Sequence, residues 1–390
     1  MALTACSAPE RLTAVPAADQ TRAEAIGIPG VRYSSPEHMK RLEQDALESV
    51  QRDLAHRKAM GQTGPLPAAE FLAISGGGED GAFGAGLLLG WTAHGSRPTF
   101  KLVTGVSTGA LSAPFAFLGP KYDPQLREVY TRITAKDILE PRGMLRAIFS
   151  DAMSDTTPLQ RLVQRLMNAD MMKDIAAEHA KGRILLIGST NLDGRHGVIW
   201  NVTKIAASGH PGALDLIHRI LVASAAVPGA FPPVMIDVEV DGRRYQEMHV
   251  DGGATAQVFV YPPSLHVGEL SRQHQITRQR RMYVIRNARL DADWAQVDRR
   301  LMSIAGRSIS SLIQTQGVGD LYKISAEAKR DGIDFNLAFI PSTFKVELKE
   351  PFDTVYMNAL FEVGYDLGKR GYVWNKAPPG MAGSAPPATR

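Results

Sequence analysis

The sequence has little of several features that would assign a chain of 390 residues to a specialised class of protein. It has one cysteine, Cys6, so an intramolecular disulfide and a site of paired cysteines are both excluded. It also lacks a long hydrophobic run. The uncharged stretch 102–120 is interrupted by glycines, prolines and hydroxyl side chains, whereas a spanning helix needs about 20 mostly apolar residues. We therefore expect no transmembrane segment.

Net charge and clustered metal-ligating side chains are scarce as well. The formal net charge is +4, and no nucleic-acid-binding motif accompanies it, so we expect no nucleic-acid partner. The histidines show neither an HExxH motif nor another clustered ligand spacing, so we expect no metal and no cofactor. Hydrophobic residues at 44% and charged residues at 22% are typical of a globular chain with a sizeable core.

The two ends of the chain differ in composition from its middle. Residues 1–35 are rich in alanine, proline and short polar residues without periodicity, which predicts a flexible tether. Residues 36–65 predict a polar helix followed by a linker. Residues 376–390 are dominated by proline, glycine, alanine and serine, which predicts a disordered tail. The main domain would then span residues 66–375.

Short apolar runs alternate with helical stretches through this domain. Strands are predicted at 70–75, 100–104, 183–188, 197–201 and 282–286. Continuous apolar strands joined by helices indicate a mainly parallel central sheet covered on both faces. We expect a three-layer α/β/α fold, with ligands bound at the carboxyl ends of the strands.

The motif Gly105-Val106-Ser107-Thr108-Gly109 stands between a predicted strand and a predicted helix. In this context G-x-S-x-G is the pattern of a nucleophile elbow, a sharp turn that exposes the serine hydroxyl above the sheet. We interpret Ser107 as a catalytic nucleophile. The alternative is a glycine turn with a structural role alone.

An earlier strand–helix junction has the sequence SGGGEDG. Its glycines leave backbone N–H groups unobstructed near the positive end of a helix dipole, which suits an oxyanion hole built from Gly76, Gly77 and Gly78. The same glycines match the dinucleotide pattern G-x-G-x-x-G. That alternative lacks its ribose-binding acid, because no Asp or Glu occurs between Asp80 and Asp123.

A serine nucleophile needs a base. A predicted strand leads into Asp251, which two glycines follow, so the aspartate can lie in a tight turn with little bulk around it. His249 would point to the same face of that strand, so a Ser–His–Asp triad is a second possibility. The usual α/β-hydrolase order, with the histidine after the aspartate, disfavours the triad. Asp193, near another strand end, is a third candidate base.

In this order, a GGGxxG turn, a GxSxG elbow and a later DGG resemble the motifs of the patatin-like phospholipase family. Residues 223–234, ASAAVPGAFPPV, are similar to the family's AS-x-A-x-P-x-x-FPP segment. The stretch Thr190-Asn191-Leu192-Asp193 also resembles a recurring stretch of the family. The resemblance covers about residues 70–290 and extends more weakly to 375. It makes 66–375 a patatin-like catalytic domain.

The resemblance implies a Ser–Asp dyad without histidine. Ser107 would be the nucleophile and Asp251 would take its proton, while the amides of Gly76, Gly77 and Gly78 would stabilise the oxyanion. The implied activity is that of a lipid acyl hydrolase of the phospholipase A type, which cleaves carboxylic esters through an acyl-enzyme. The implied partners are a lipid or phospholipid substrate and a membrane surface.

Two other functions stay open at this point. One is a general carboxylesterase with the same dyad, and the other is a catalytically silent lipid-binding lipoprotein. Many members of the family carry Arg or Lys in the oxyanion turn where this chain has Asp80, so help from a cation at that position is not expected. The arginines of 272–289 predict a solvated basic face, with a lipid-headgroup contact as the alternative. The sequence indicates no oligomeric state.

The segment Leu3-Thr4-Ala5-Cys6 resembles the lipobox of bacterial lipoproteins, in which the cysteine is acylated. The basic and apolar parts of a signal peptide do not precede it in this sequence. The resemblance implies lipid attachment at Cys6 and a location in the bacterial cell envelope, anchored and facing the periplasm. A cytoplasmic location is the alternative.

Overall fold

The computed structural model describes residues 11–141, 154–291 and 294–381. A mixed, mostly parallel central sheet is flanked by helices on both faces, which confirms the predicted three-layer α/β/α fold. The strands are β1 (Glu24–Ala25), β2 (Arg32–Tyr33), β3 (Ala69–Ile74), β4 (Leu102–Val106), β5 (Glu140–Pro141), β6 (Ser154–Asp155), β7 (Ile184–Asn191), β8 (His196–Asn201), β9 (Val234–Val240), β10 (Arg243–Asp251), β11 (Arg280–Arg286) and β12 (Asp334–Phe339).

The helices of the described residues connect these strands and cover the sheet. They are Met39–Ala59, Gly81–His94, Thr108–Leu118, Asp123–Thr131, Ala135–Ile138, Thr157–Leu166, Ala169–Ala180, Val202–Ala207, Ala213–Ser224, Val267–Gln273, Leu301–Asp331 and Thr354–Lys369.

The sheet has the order β1-β9-β10-β7-β4-β3-β11-β12, and β8 pairs with β7 and β2. Strands β7, β4, β3, β11 and β12 run parallel, and β10 runs antiparallel to β7. The register pairs Val106 with Gly188, and it pairs Asp251 with Ser189. The end of β4 and the end of β10 therefore meet across two adjacent residues of β7.

Side chains of the central strands alternate between two apolar cores, one on each face of the sheet. Leu72 and Ile74 of β3 contribute to one core, and Phe71 and Ala73 contribute to the other. Alternation is the expected geometry of a strand buried on both faces. It explains why the central strands have almost continuous apolar sequences.

The N-terminal segment differs from the predicted flexible tether over residues 11–35. Strand β1 pairs with β9, and β2 pairs with β8. The Arg32 side chain is fully buried and pairs with Glu247, with N–O distances of 2.8 and 3.1 Å. Small apolar residues of this segment, such as Ala23 and Val31, belong to the core. The composition of this segment did not predict that strand pairing and the buried Arg32–Glu247 ion pair hold it in the fold.

The predicted disordered tail also begins inside the fold. Lys376 forms an ion pair with Asp334 at 2.8 Å, Ala377 is buried, and the Tyr322 hydroxyl donates to the Pro379 carbonyl at 2.5 Å. The rest of that prediction, residues 382–390, lies outside the described residues. So do residues 1–10, with the lipobox-like segment and Cys6.

Candidate active site

Ser107 lies in a sharp turn between β4 and the helix Thr108–Leu118. Its backbone has φ 56° and ψ −128°, a strained combination for a residue with a side chain. A Cβ added at Gly105 would lie 2.4 Å from the Gly109 carbonyl oxygen, and one at Gly109 would lie 2.2 Å from the Ile74 carbonyl oxygen. Both glycines of the G-x-S-x-G motif are therefore required by close backbone approach. This is the geometry of the predicted nucleophile elbow.

Ser224 holds the backbone of the elbow in place. The Ser107 N–H donates to Ser224 Oγ at 3.0 Å, and the Ser224 hydroxyl donates to the Gly188 carbonyl at 2.6 Å. The sequence drew attention to the segment around Ser224 but not to this contact. The hydroxyl thus links the elbow to the neighbouring strand β7.

Asp251 ends β10, and its carboxylate is buried. Burial raises the pKa of Asp251 to about 6, while the nearby Ser107 hydroxyl and the Gly253 N–H act in the opposite direction. Asp251 Oδ1 accepts the Gly253 N–H at 2.7 Å. Oδ2 has no hydrogen-bond partner of ordinary distance and angle among the described residues, so it keeps a lone pair available to accept a proton.

The glycines of the first turn do not contribute equally. The Gly76 N–H donates to the Gln257 carbonyl at 3.1 Å, so it is not free to bind an oxyanion in this structure. Among the described residues, no acceptor is within hydrogen-bond geometry of the amides of Gly77, Gly78 or Thr108. Thr108 follows the nucleophile at a helix N-terminus, the usual position of an oxyanion donor in an elbow. The sequence analysis did not single out that amide.

Asn287, directly after β11, braces the oxyanion turn. Its N–H donates to Ser75 Oγ at 2.8 Å, its side-chain Nδ2 donates to the Ser75 carbonyl at 3.0 Å, and its Oδ1 accepts the Gly84 N–H at 3.1 Å. A Cβ at Gly77 would lie 2.1 Å from the Asn287 carbonyl oxygen. Asn287 was missed from the sequence, although its position at the carboxyl end of a predicted parallel strand was a usable signal.

Gln257 joins the oxyanion turn to the turn that carries Asp251. Besides accepting the Gly76 N–H, it donates from Nε2 to the Gly253 carbonyl at 2.8 Å. Its own N–H donates to Asp320 Oδ2 at 2.7 Å. No motif marked Gln257 or Asp320 in the sequence, because their roles depend on backbone contacts between distant segments.

His249 belongs to a buried polar network with Glu247 and Ser189. Its Nε2 lies 3.0 Å from Glu247 Oε2 and its Nδ1 lies 3.0 Å from Ser189 Oγ, so both ring nitrogens have partners. Arg32 and Glu247 form the ion pair beside it. Burial lowers the pKa of His249. Within the described residues, no hydrogen bond joins His249 to Ser107 or Asp251.

Two other sequence candidates have structural partners. The carboxylate of Asp193, the alternative base, binds Arg11 through two bonds of 2.9 and 2.7 Å and accepts the Met248 N–H. In the basic region 272–289, Arg278 pairs with Asp53 and Arg281 pairs with Glu70. Much of that region is thus paired or buried rather than a free basic face.

Asp80 lies in the oxyanion turn, where many members of the patatin-like family have Arg or Lys. Its carboxylate accepts a hydrogen bond from the Tyr356 hydroxyl. Burial raises the pKa of Asp80 to about 6, while Tyr356, Arg289 and Arg286 oppose the shift. The arginines that approach this turn therefore come from the end of β11 and the loop after it.

An apolar cavity of about 390 Å³ opens at Ser107. It lies between the elbow, the helix Thr157–Leu166 and the segment before Thr354–Lys369. Its walls are Gly78, Glu79, Ser107, Thr108, Leu111, Val129, Tyr130, Ile133, Ile138, Leu139, Leu159, Leu162, Ala225, Val227, Ala230, Phe231, Pro351, Phe352 and Met357. A small adjoining cavity shares Leu111, Val129, Leu159 and Leu162 with it. Such a lining suits a hydrocarbon chain.

The described part of the chain contains no cluster of three or more His, Cys, Asp or Glu side chains that could hold a metal ion. In the same part, none of the helices has the length and apolar character needed to cross a membrane.

Comparison with known proteins gives a family and a distant structural likeness. The family model described as patatin-like phospholipase matches residues 72–262. Among solved structures, the crystal structure of VipD from Legionella pneumophila is similar, with a TM-score of 0.38 and 13% sequence identity. The match covers 78% of this chain and 66% of that chain, so this chain spans slightly less than two thirds of VipD. No curated protein matches the sequence.

Proposed function

Because residues 72–262 form a domain of the patatin-like phospholipase family, a family of lipid hydrolases, we propose that this chain cleaves carboxylic esters of lipids with a Ser107–Asp251 dyad. One observation carries the proposal. A buried carboxylate with a raised pKa lies next to a serine in a strained elbow, and one of its oxygens has no other partner. The histidine of the competing triad is bonded elsewhere.

The proposed reaction begins when Ser107 Oγ attacks the ester carbonyl carbon and its proton moves to Asp251. The tetrahedral oxyanion would accept hydrogen bonds from the free amides of Gly77, Gly78 and Thr108. Removal of a single donor of this kind costs about 100- to 1000-fold in rate in a serine hydrolase. The oxyanion then collapses, and the leaving alkoxide takes the proton from Asp251. This step leaves an acyl group on Ser107.

Water completes the proposed cycle. Asp251 accepts a proton from the water as its oxygen attacks the acyl-enzyme, and Ser107 recovers its proton when the fatty acid leaves. An aspartate with an ordinary pKa is a weak base, and burial raises the proton affinity of Asp251 toward the value that this role needs.

The preference for an acyl substrate is supported by the cavity at Ser107. Its lining is dominated by Leu, Ile, Val, Phe and Ala side chains, and it offers no cation for a charged group in the described lining. A volume of about 390 Å³ is within the usual range for a site that buries a small ligand or part of a chain. We propose that the acyl chain of a phospholipid occupies it.

The proposal is tested by product analysis on mixed phospholipid vesicles. Wild-type protein should release free fatty acid and lysophospholipid, while Ser107→Ala should release neither. A fluorophosphonate probe should label wild-type protein at Ser107, and peptide mapping of the adduct to another serine would contradict the assignment. Turnover of a short p-nitrophenyl ester without phospholipid turnover would favour a general carboxylesterase. Absence of both activities would favour a silent lipid-binding protein.

We also propose that Cys6 is acylated and that the protein is anchored in the bacterial cell envelope, facing the periplasm. The support is the lipobox-like segment Leu3-Thr4-Ala5-Cys6. Expression of the complete genomic reading frame, followed by membrane fractionation and mass spectrometry of the N-terminus, tests this. An unmodified Cys6 in a cytoplasmic fraction would instead support the cytoplasmic alternative.

A further inference from the structure

The first part of the long helix Leu301–Asp331 exposes its apolar face. Leu301, Ile304, Ile309 and Leu312 are 82%, 50%, 54% and 70% exposed. Their spacing of 3, 8 and 11 residues from Leu301 places them on one side of a helix. An amphipathic helix in a globular domain normally buries its apolar side, but the buried Leu321, Ile324 and Ala328 of this helix lie on the side opposite to these four residues. Segment 301–319 is therefore an amphipathic segment without a described partner on its apolar side.

The opposite side of this segment faces the domain. Gln314 Nε2 donates to the Arg289 carbonyl at 3.0 Å. A Cβ at Gly317 would lie 2.3 Å from Arg286 Nη2, so the helix contacts β11 closely at that point. The polar and small residues thus make the intramolecular contacts. The exposed leucines and isoleucines point away from the body of the protein.

The charges of this region match an anionic surface. Arg299 and Arg300 are exposed directly before the helix, Asp298 precedes them, and segment 301–319 itself contains no acidic residue. Trp294, shortly before the helix, is 84% exposed. A helix with an apolar face, basic residues and a nearby tryptophan is the usual composition of a segment that lies in a membrane interface.

This segment is also connected to the candidate active site. Asp320, which directly follows it, accepts the Gln257 N–H, and Gln257 accepts the Gly76 N–H of the oxyanion turn. On its other flank, Arg289 donates to the Phe344 carbonyl in the segment that leads to Phe352, a wall of the cavity at Ser107.

We propose that Trp294 and segment 301–319 form a docking surface for an anionic lipid bilayer. The apolar face would enter the interface, and Arg299 and Arg300 would meet lipid phosphates. The inference rests on the proposed function in one respect, since a lipid hydrolase must meet its substrate at a bilayer surface. Docking here would bring the domain that carries the cavity to that surface.

The first experiment measures vesicle binding without turnover. Full-length Ser107→Ala is sedimented with vesicles of phosphatidylglycerol and phosphatidylcholine, and with phosphatidylcholine alone. Adding Leu301→Ser and Leu312→Ser should weaken binding by about ten-fold or more, because both exposed side chains lose interfacial burial. The matched control replaces two exposed apolar residues elsewhere, Leu54 (49%) and Val373 (87%), with serine and should bind normally.

The second experiment separates the charge from the apolar face. Arg299→Gln with Arg300→Gln should reduce binding to the anionic vesicles by roughly five-fold for each arginine, and binding to neutral vesicles should change little. Trp294 emission should shift to shorter wavelength on the anionic vesicles. Trp294→Phe should remove that shift, which would show that the shift comes from Trp294 and not from the other three tryptophans.

The outcomes distinguish this inference from the proposed function. Equal binding by the Leu301→Ser/Leu312→Ser variant and its control would overturn the docking surface and leave the hydrolase proposal intact. Loss of binding by that variant, with no ester turnover by wild type, would retain the surface and overturn the hydrolase. If wild type is a dimer that this variant converts to a monomer, and neither binds vesicles, the surface is a self-association interface and the inference is wrong.

Discussion

The Gly76 amide donates a 3.1 Å hydrogen bond to the Gln257 carbonyl, and this bond joins the two turns of the candidate site. This bond connects the turn that contains the Gly77 and Gly78 amides to the turn that carries Asp251. Gln257 is held in turn by Asp320 of the long helix. The relative position of oxyanion donors and base is therefore set by two residues outside the sequence motifs, Gln257 and Asp320.

Asp320→Ala should lower kcat with little change in KM for a soluble ester. The variant removes the acceptor of the Gln257 N–H, and misplacement of a reacting group by about 1 Å can cost on the order of 100-fold. Glu327→Gln is the matched control, since it alters another buried acid of the same helix and should leave kcat unchanged. Equal losses in both variants, in steady-state kinetics, would indicate general destabilisation instead.

Asp251→Asn should reduce kcat by three orders of magnitude or more, on the scale of losing a general base together with its charge. His249→Gln should retain activity within about ten-fold, while its melting temperature falls because the contacts to Glu247 and Ser189 change. Kinetics on a soluble ester and thermal denaturation measure the two effects. A His249 variant as inactive as Asp251→Asn would support a triad.

The rate should follow the ionisation of Asp251. Burial raises its pKa to about 6, and the base must be ionised to accept the Ser107 proton. We expect kcat/KM to rise with pH through about 6 and to become constant roughly one unit higher. A pH–rate profile on a soluble, non-ionising ester checks this. A midpoint that moves in His249→Gln would assign the ionisation to the histidine.

Asp251→Asn should also stabilise the fold at neutral and higher pH. The folded-state pKa of about 6 lies above the ordinary 3.8, so the folded state binds the proton more tightly than the unfolded state. The stability contributed by this carboxyl is present below about pH 3.8 and is lost as pH rises through about 6.

At pH 8 the ionised Asp251 therefore costs up to about 3 kcal/mol, at about 1.4 kcal/mol for each pKa unit. Urea denaturation of wild type and Asp251→Asn at pH 4 and pH 8 should show a gain for the variant that is larger at pH 8. Asp298→Asn, at an exposed site, should show no such difference. A gain for Asp251→Asn that is equal at the two pH values, or larger at pH 4, would argue against a buried carboxylate with a raised pKa.

Gly109→Ala should destabilise the domain by roughly 1–3 kcal/mol or more, because the new methyl group would lie 2.2 Å from the Ile74 carbonyl oxygen. Gly306→Ala is the matched control in another helix, where a Cβ has no neighbour within 4 Å. That substitution should stabilise by up to about 1 kcal/mol through helix propensity. Denaturant titration compares the two, and similar effects would contradict the close packing of the elbow.

The layered architecture and the elbow follow from local sequence patterns. The continuous apolar runs predict strands such as β3 and β11, because these are buried on both faces. Ser107 and Asp251 were identified because their flanking glycines mark tight turns that the backbone contacts require. Local patterns therefore predict the two tight turns that carry the candidate nucleophile and base.

What the sequence did not predict depends on contacts between distant segments. The Gly76 amide has an acceptor because Gln257 happens to follow the second turn at the right distance. Arg32 pairs with Glu247 across more than 200 residues, which turned an apparent tether into part of the core. Neither pairing leaves a periodicity or a motif, since each depends on contact between segments that are far apart in the chain.

The Arg11–Asp193 ion pair fixes the point at which the N-terminal segment joins the folded body. Four residues lie between Cys6 and Arg11, so the two are at most about 18 Å apart along a fully extended chain. If Cys6 is acylated as proposed, the linker between Cys6 and Arg11 is too short for the domain to reach lipid far from its anchor. The domain would stay within about the length of that linker from the bilayer surface. The effective lipid concentration would then be set by the linker length rather than by diffusion from solution.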